Sequence, residues 1–345
     1  MIIAISKFHN QAQELFMNLF KLPLAALLAA LLAAPLMAGA AQSSCADPFA
    51  CIRQIDAGEL NVGYVDAGPA DGKVVILLHG WPYDIHSYTD VVPMLTGAGY
   101  RVLVPYLRGF GTTRLRAADG VADGEPAAGG ADVIAFMDAL KIDRAILAGF
   151  DWGARNAAIA AALWPERVQG LVAVSGYLIS SQQQASQPLA PEAELQWWYQ
   201  FYFATERGRA GYAANRHAFA RLIWQQASPR WQFDNATFER SAAALDNPDH
   251  VAITISNYRW RLGLETGQAR YQALAARLAS LPPISVPAIT LESDANGAPH
   301  AAPQAYAQRF TGPYRHQQVS GGIGHNLPQE APRAFADAVI AVTQF

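Results

Sequence analysis

The chain is 345 residues long, 52% hydrophobic and only 15% charged, with a formal net charge of −3. That length accommodates one large domain carrying an insertion, or two small domains, with apolar residues enough for a sizeable core. The near-neutral balance gives no electrostatic basis for binding nucleic acid or an anionic membrane.

Residues 1–40 read as a signal peptide. Lys21 precedes an uninterrupted apolar run from Leu22 to Leu36, and Ala38-Gly39-Ala40 follows as an A-x-A cleavage site. The run is shorter than the roughly twenty residues a helix needs to span a bilayer, so no stable membrane insertion is expected after cleavage. Met17 is an alternative start, since Met17-Asn18-Leu19-Phe20-Lys21 makes a more ordinary leading region than Met1 to Phe20 with its Glu14. Export to the periplasm or the medium is the expectation. Cys45 and Cys51, the chain's two cysteines, are then expected to close a short disulfide loop. Gln42-Ser43-Ser44 before Cys45 is unlike a lipobox and speaks against lipidation.

Leu60 to Val65 alternates apolar and polar residues before Gly68-Pro69-Ala70-Asp71-Gly72, the pattern of an antiparallel strand and turn at a sheet edge. Val74 to Leu78 is a continuous apolar run, as in a strand buried on both faces, and ends at His79-Gly80-Trp81-Pro82. A helix over Tyr88 to Gly97, a buried strand over Tyr100 to Pro105 and a tight loop at Arg108-Gly109-Phe110-Gly111 follow. A helix over Ala131 to Leu140 leads to a strand over Arg144 to Leu147, and Val168 to Val174 is a further buried strand. This alternation predicts an α/β fold with a doubly wound, mostly parallel sheet, whose site lies at the carboxyl ends of the strands.

Ser180 to Glu194 has no periodicity and reads as a linker, and Leu195 to Leu278 is helical and aromatic. After Leu281-Pro282-Pro283, Val286 to Leu291 resumes the strand pattern. A helix over Pro303 to Phe310, a short strand over His316 to Val319 and a helix over Pro332 to Val342 complete the chain. The expected organisation is a core over residues 41–179 and 284–345, with a helical cap inserted over residues 180–283.

Ala148-Gly149-Phe150-Asp151-Trp152-Gly153-Ala154 joins a strand to the alanine-rich helix from Ala154 to Leu163. Small-x-Asp-x-small between strand and helix is the pattern of a nucleophile elbow, where glycines let the central side chain stand exposed on a strained turn. An Asp at this point can also simply cap the helix, but as a nucleophile it defines a chemistry. A serine attacking a saturated carbon would end as an ether, whereas an aspartate ends as an ester that water can cleave. The electrophile implied is an epoxide or an alkyl halide.

His325 follows the last strand within Gly321-Gly322-Ile323-Gly324-His325-Asn326, where an imidazole suits a general base. After the late strand the chain reads Leu291-Glu292-Ser293-Asp294-Ala295-Asn296-Gly297. Asp294 is the favoured partner of His325, because a negative group stabilises an imidazolium. Asn296 is the alternative, able to orient the ring but not to stabilise its charge. Glu292 should point off the other side of the strand. Nucleophile, acid and histidine in that order match the α/β-hydrolase triad, and the backbone N–H groups of Trp81 and Trp152 are placed to form an oxyanion hole.

On these residues the chain resembles the α/β-hydrolase-fold epoxide hydrolases from about Arg53 onward. His79-Gly80-Trp81-Pro82 is similar to that family's H-G-x-P motif and Asp151-Trp152-Gly153 to its nucleophile motif, both shared with related dehalogenases. The resemblance implies two cap tyrosines that hydrogen-bond the epoxide oxygen. Tyr199-Gln200-Phe201-Tyr202-Phe203 is similar to the segment holding the first, which points to Tyr202; Asn257-Tyr258-Arg259 is similar to the second, which points to Tyr258. Asn247-Pro248 starts a helix that puts Val251, Ile255, Tyr258 and Leu262 on one face, and Leu195, Trp198 and Tyr202 make a comparable stripe. Both tyrosines can also be read as ordinary packing of the cap on the core. His79, Trp81, Trp152 and Arg155 are expected to line the substrate site; Arg155 matches one of the carboxylate-binding arginines of fluoroacetate dehalogenases, while Trp152 replaces the other.

The reaction implied is opening of a small, apolar epoxide to a vicinal diol. It runs through an ester on Asp151, released by water that His325 activates, with no metal or organic cofactor. A hydrolytic dehalogenase of a haloalkane or halo-acid is the alternative, although Trp81 stands where many haloalkane dehalogenases place Asn. A hydrolase-fold binding protein with idle chemistry is a third reading, opposed by Asp151 and His325 both being in place.

Overall fold

The computed structural model describes residues 47–117 and 120–345. The expected signal peptide at 1–40, and Cys45 with its expected pairing to Cys51, lie outside the described residues. Among the latter, no helix is long and apolar enough to cross a membrane.

One sheet runs through the core, built from β1 (Arg53–Ala57), β2 (Leu60–Ala67), β3 (Lys73–Leu78), β4 (Tyr100–Pro105), β5 (Arg114–Leu115), β6 (Ala145–Gly149), β7 (Val168–Val174), β8 (Ala288–Ser293) and β9 (Tyr314–Val319). Its order is β1-β2-β4-β3-β6-β7-β8-β9, with β5 beside β2. Pairings are antiparallel from β1 to β4 and parallel from there to β9. Continuous apolar runs predict the central strands because both of their faces are covered. All residues of β6 are buried, and Val75 and Leu78 of β3 register with Ile146 and Gly149. The expected edge position of Leu60–Val65 is corrected: β1 forms the edge and β2 lies inside it. The half-buried, mostly polar Arg53-Gln54-Ile55-Asp56-Ala57 carries too weak an alternation to announce a strand.

Helices α1 (Val91–Gly97), α2 (Pro126–Ala139) and α3 (Trp152–Leu163) belong to the first part of the core. The helix expected from Tyr88 is interrupted. Asp84 caps a short 3-10 turn, Ile85–Tyr88, and the Tyr88 hydroxyl donates to the Leu78 carbonyl at 2.7 Å. Helix α2 starts earlier than expected because Gly129 and Gly130 lie within it: a Cβ on either would collide with Asn156 or Ile159 of α3. Their role is close helix packing, which local propensity does not reveal.

Between β7 and β8 the chain forms the expected helical cap, with α4 (Gln182–Ala185), α5 (Pro191–Gln196), α6 (Trp198–Phe203), α7 (Glu206–Ala227), α8 (Asn235–Ala242), α9 (His250–Arg261) and α10 (Gln272–Ala279). The unpatterned linker thus contains α4, held by a Ser181–Gln184 capping box, and the start of α5. Polar ties bind cap to core: Trp224 Nε1 donates to the Pro82 carbonyl at 3.0 Å, Asn247 Nδ2 to Thr113 at 2.6 Å, and Trp81 Nε1 to the Tyr212 hydroxyl at 3.0 Å. After β8 come α11 (Pro303–Tyr306), α12 (Leu327–Glu330) and α13 (Pro332–Ala341).

Candidate active site

The turn between β6 and α3 has the strain expected of an elbow. Asp151 sits at φ 51°, ψ −124°, a left-handed conformation that a non-glycine residue adopts only when its surroundings enforce it. Enforcement comes from close packing without side chains. A Cβ on Gly149 would lie 2.7 Å from the Leu78 carbonyl oxygen, and one on Gly80 would lie 2.5 Å from the Asp151 Cβ. The glycines bring the loop after β3 directly over the carboxylate.

The Trp81 N–H donates to Asp151 Oδ1 at 2.8 Å, and the Trp152 N–H also bonds this carboxylate. His325 Nε2 stands 3.4 Å from Oδ2. Burial pushes the Asp151 carboxyl upward, but His325 and the two N–H groups outweigh it and hold the carboxyl below its usual range. Asp151 is therefore anionic at neutral pH, as a nucleophile must be.

The orientation of His325 follows from its neighbours. Asn296 Oδ1 accepts the Ala298 N–H at 2.9 Å and lies 3.1 Å from His325 Nδ1, while Asn296 Nδ2 donates to Ser175 Oγ at 3.3 Å. A backbone N–H can only donate, so it fixes which end of the amide is oxygen. Nδ1 then turns a ring proton toward Asn296, and Nε2 faces Asp151. The expected contact between Asp294 and His325 is corrected. The Asp294 carboxylate instead accepts the N–H groups of Gly321, Gly322 and Ile323 at 2.9–3.2 Å, closing the glycine loop before His325. Glu292 turns aside as expected and accepts the Tyr306 hydroxyl at 2.9 Å.

Two residues that sequence reasoning missed hold the other side of the histidine. Ser228 Oγ accepts the His325 N–H at 2.9 Å and donates to Glu330 at 2.7 Å; Glu330 also accepts the Gly324 and Asn326 N–H groups. Ser228 ends cap helix α7, and neither residue has a local pattern that marks it.

Tyr258 on α9 and Tyr199 on α6 face Asp151 across a cavity of about 260 Å³, their rings 5.3 Å apart edge to face. Burial first, with Asp151 adding to it, pushes both hydroxyls above the ordinary tyrosine range, so they remain protonated donors. The expectation for Tyr202 is corrected to Tyr199. Tyr202 does not reach the cavity; its ring lies parallel to Phe219, 6.2 Å away. The stripe through Leu195, Trp198 and Tyr202 fails because Trp197, at φ −100°, ψ 25°, breaks the helix, and Leu195 is 73% exposed.

Trp81, Trp152 and Arg155 line the cavity as expected, whereas His79 does not. The His79 ring is fully buried, its Nε2 accepting the Leu107 N–H at 3.1 Å and its Nδ1 bonded to the Gly80 carbonyl at 2.9 Å. Burial lowers its pKa to about 4, so it is a neutral tie between the loops after β3 and β4.

An elbow carboxylate, two converging N–H donors and a histidine after the last strand belong to a known architecture. The chain belongs to the α/β-hydrolase fold family, whose model matches residues 73–251. It is similar to the crystal structure of a proposed epoxide hydrolase from Klebsiella pneumoniae subsp. pneumoniae MGH 78578, at 63% identity and a TM-score of 0.86, covering 86% of this chain and 99% of that one. Among curated relatives, Epoxide hydrolase B of Mycobacterium tuberculosis is 31% identical over 149 residues, 40% of this chain and 41% of that protein. The haloalkane dehalogenase of Mycobacterium marinum is 34% identical over 135 residues, 38% and 45% of the two chains. The chain thus spans less than half the length of these curated relatives.

Proposed function

We propose that the protein opens an epoxide to a vicinal diol. The observation that carries this reading is the pair of protonated hydroxyls of Tyr199 and Tyr258 lining the cavity opposite an anionic Asp151. A ring-opening displacement leaves an alkoxide, which needs a proton donor, whereas a departing halide needs none. Asp151 attacks a ring carbon, the C–O bond breaks, and the oxygen takes a proton from one tyrosine while the other hydrogen-bonds it. Water then attacks the ester carbonyl, giving its proton to His325 Nε2, with Asn296 keeping the ring in register. The tetrahedral oxyanion sits against the N–H groups of Trp81 and Trp152. Its collapse breaks the ester C–O bond and returns the Asp151 carboxylate. The departing oxygen takes the added water's second proton to give the diol, and the proton on His325 passes through solvent to the tyrosinate. The similarity to the proposed Klebsiella epoxide hydrolase supports the reading.

One observation favours the dehalogenase alternative: Trp152 Nε1 is buried without a hydrogen-bond partner and could receive a halide. The Trp81 indole is already committed to Tyr212.

His325→Ala separates the steps. Incubated with an epoxide, this variant should accumulate an adduct on the peptide holding Asp151, found by mass spectrometry, while the wild type yields diol. Absence of that adduct under conditions where the wild type turns over removes Asp151 from its role. Halide released from halo-acids or haloalkanes, without diol from epoxides, transfers the reading to the alternative.

A further inference from the structure

Two arginines line the cavity against a single carboxylate. Arg155 lies four residues beyond Asp151 on α3, and Arg261 three residues beyond Tyr258 on α9. Positions so spaced share a helix face, with about 5–6 Å between Cβ atoms, so each guanidinium stands beside a group of the proposed reaction. Neither has a hydrogen-bond or ion-pair partner among the described residues. Arg155 lies 5.6 Å from the Trp152 ring centre and Arg261 4.9 Å from that of Trp197. Arg155 is 8% exposed, and its Nε is buried and unbonded. Asp151 does not serve it: one oxygen takes the Trp81 N–H and the other faces His325. The contrast with Arg108 is direct, since that equally buried guanidinium is bound by Asp132 and by the Asp123 carbonyl.

An unpaired buried cation is costly, and this one opens onto the cavity where substrate must sit. We infer that Arg155 and Arg261 form a carboxylate subsite, and that the substrate is an epoxide bearing a carboxylate on or next to the ring. This rests on the epoxide reading above and replaces a wholly apolar substrate with one that is apolar at one end only. A guanidinium is planar and offers paired donors that match a carboxylate. Burial, then repulsion from Arg261, lowers Arg155 to about 10, a strain that an anion between them relieves.

The test compares 3-phenyloxirane-2-carboxylate with its primary amide, a neutral compound of the same shape. The acid should show a kcat/KM about 10- to 100-fold above the amide, the range of a charged hydrogen bond, and the ratio should fall toward one in Arg155→Gln and Arg261→Gln. Arg261 is only half-buried, so its variant decides the matter if Arg155→Gln fails to fold. Equal turnover of acid and amide overturns the subsite. So does an equal loss on both in Arg261→Gln, which would mean that the arginines act only on the neighbouring tyrosines. Calorimetry with 3-phenylpropanoate, which has no reactive ring, separates this proposal from the epoxide reading. Binding by the wild type that weakens at least tenfold in Arg261→Gln upholds the subsite even if neither epoxide is opened; no binding removes it even if both are.

Discussion

Tyr258→Phe removes one oxygen from the cavity and leaves a ring whose centre lies 5.2 Å from that of Trp81 and 5.9 Å from that of Trp152. Packing is therefore kept and the hydroxyl alone is lost. Deleting one preorganised donor to a developing oxyanion costs about 2.7–4 kcal/mol, or roughly 10²–10³ in rate. Tyr199 remains across the cavity, so the single loss should fall near the lower figure, about 10², and Tyr199→Phe should match it. If both hydroxyls serve one oxygen, either can partly substitute for the other, and the double variant should lose more than the product of the singles. The assay is single-turnover alkylation followed by stopped-flow tryptophan fluorescence, with diol formation measured in parallel. Alkylation should slow while ester hydrolysis keeps its wild-type rate. Because burial keeps both hydroxyls protonated above the usual tyrosine range, alkylation should show no loss from tyrosine ionisation up to about pH 10. Unchanged alkylation in the double variant, or an equal loss in Tyr202→Phe, refutes the assignment.

Asn296→Ala should slow ester hydrolysis, by up to the roughly 10⁴ seen when a histidine loses its orienting partner, and should leave alkylation of Asp151 comparatively intact. A larger hydrolytic defect in Asp294→Asn, measured by quench flow, would contradict the observed pairing. Glu125 supplies a pH test: burial, reinforced by Asp123, pushes its carboxyl from 4.5 up to about 7. The folded chain then holds a proton that the unfolded chain releases, so the group's stabilisation is complete below pH 4.5 and is lost as pH rises through 7. Glu125→Gln keeps an acceptor for the Gln268 N–H and should raise the urea midpoint at pH 8 but not at pH 4.5; an unaltered pH dependence would rule this out. Export is checked by N-terminal sequencing of protein from the periplasm or medium, which should begin near Ala41; an intact Met1 or Met17 on the bulk of the protein contradicts it.

What the sequence revealed follows the range of the forces involved. Central strands were legible because burial on both faces leaves continuous apolar runs, and the elbow because its glycines are needed within a few residues of Asp151. The choice between Tyr202 and Tyr199 turned on a break at Trp197 that shifts the helix face, and an i, i+3 pair of tyrosines carries no sign of which one survives such a shift. Asp294 and Asn296 lie beyond β8, where strand alternation no longer constrains direction. Which of them meets His325 is decided by the Gly321–Ile323 loop, whose N–H groups draw Asp294 away. Ser228 and Glu330 meet only in three dimensions, and no local spacing links them to the histidine.

Trp81 has a double attachment with a mechanical consequence. Its main chain belongs to the core and donates to the Asp151 carboxylate, while its indole is bonded to Tyr212 and lies among Tyr199, Phe203, Phe219 and Tyr258, all from the cap. A cap lifted from the core would pull on the same residue whose N–H, in the proposed reaction, must be in place when negative charge forms on the ester. In the proposed reaction, admission of substrate and readiness for hydrolysis would be geared together through this one side chain.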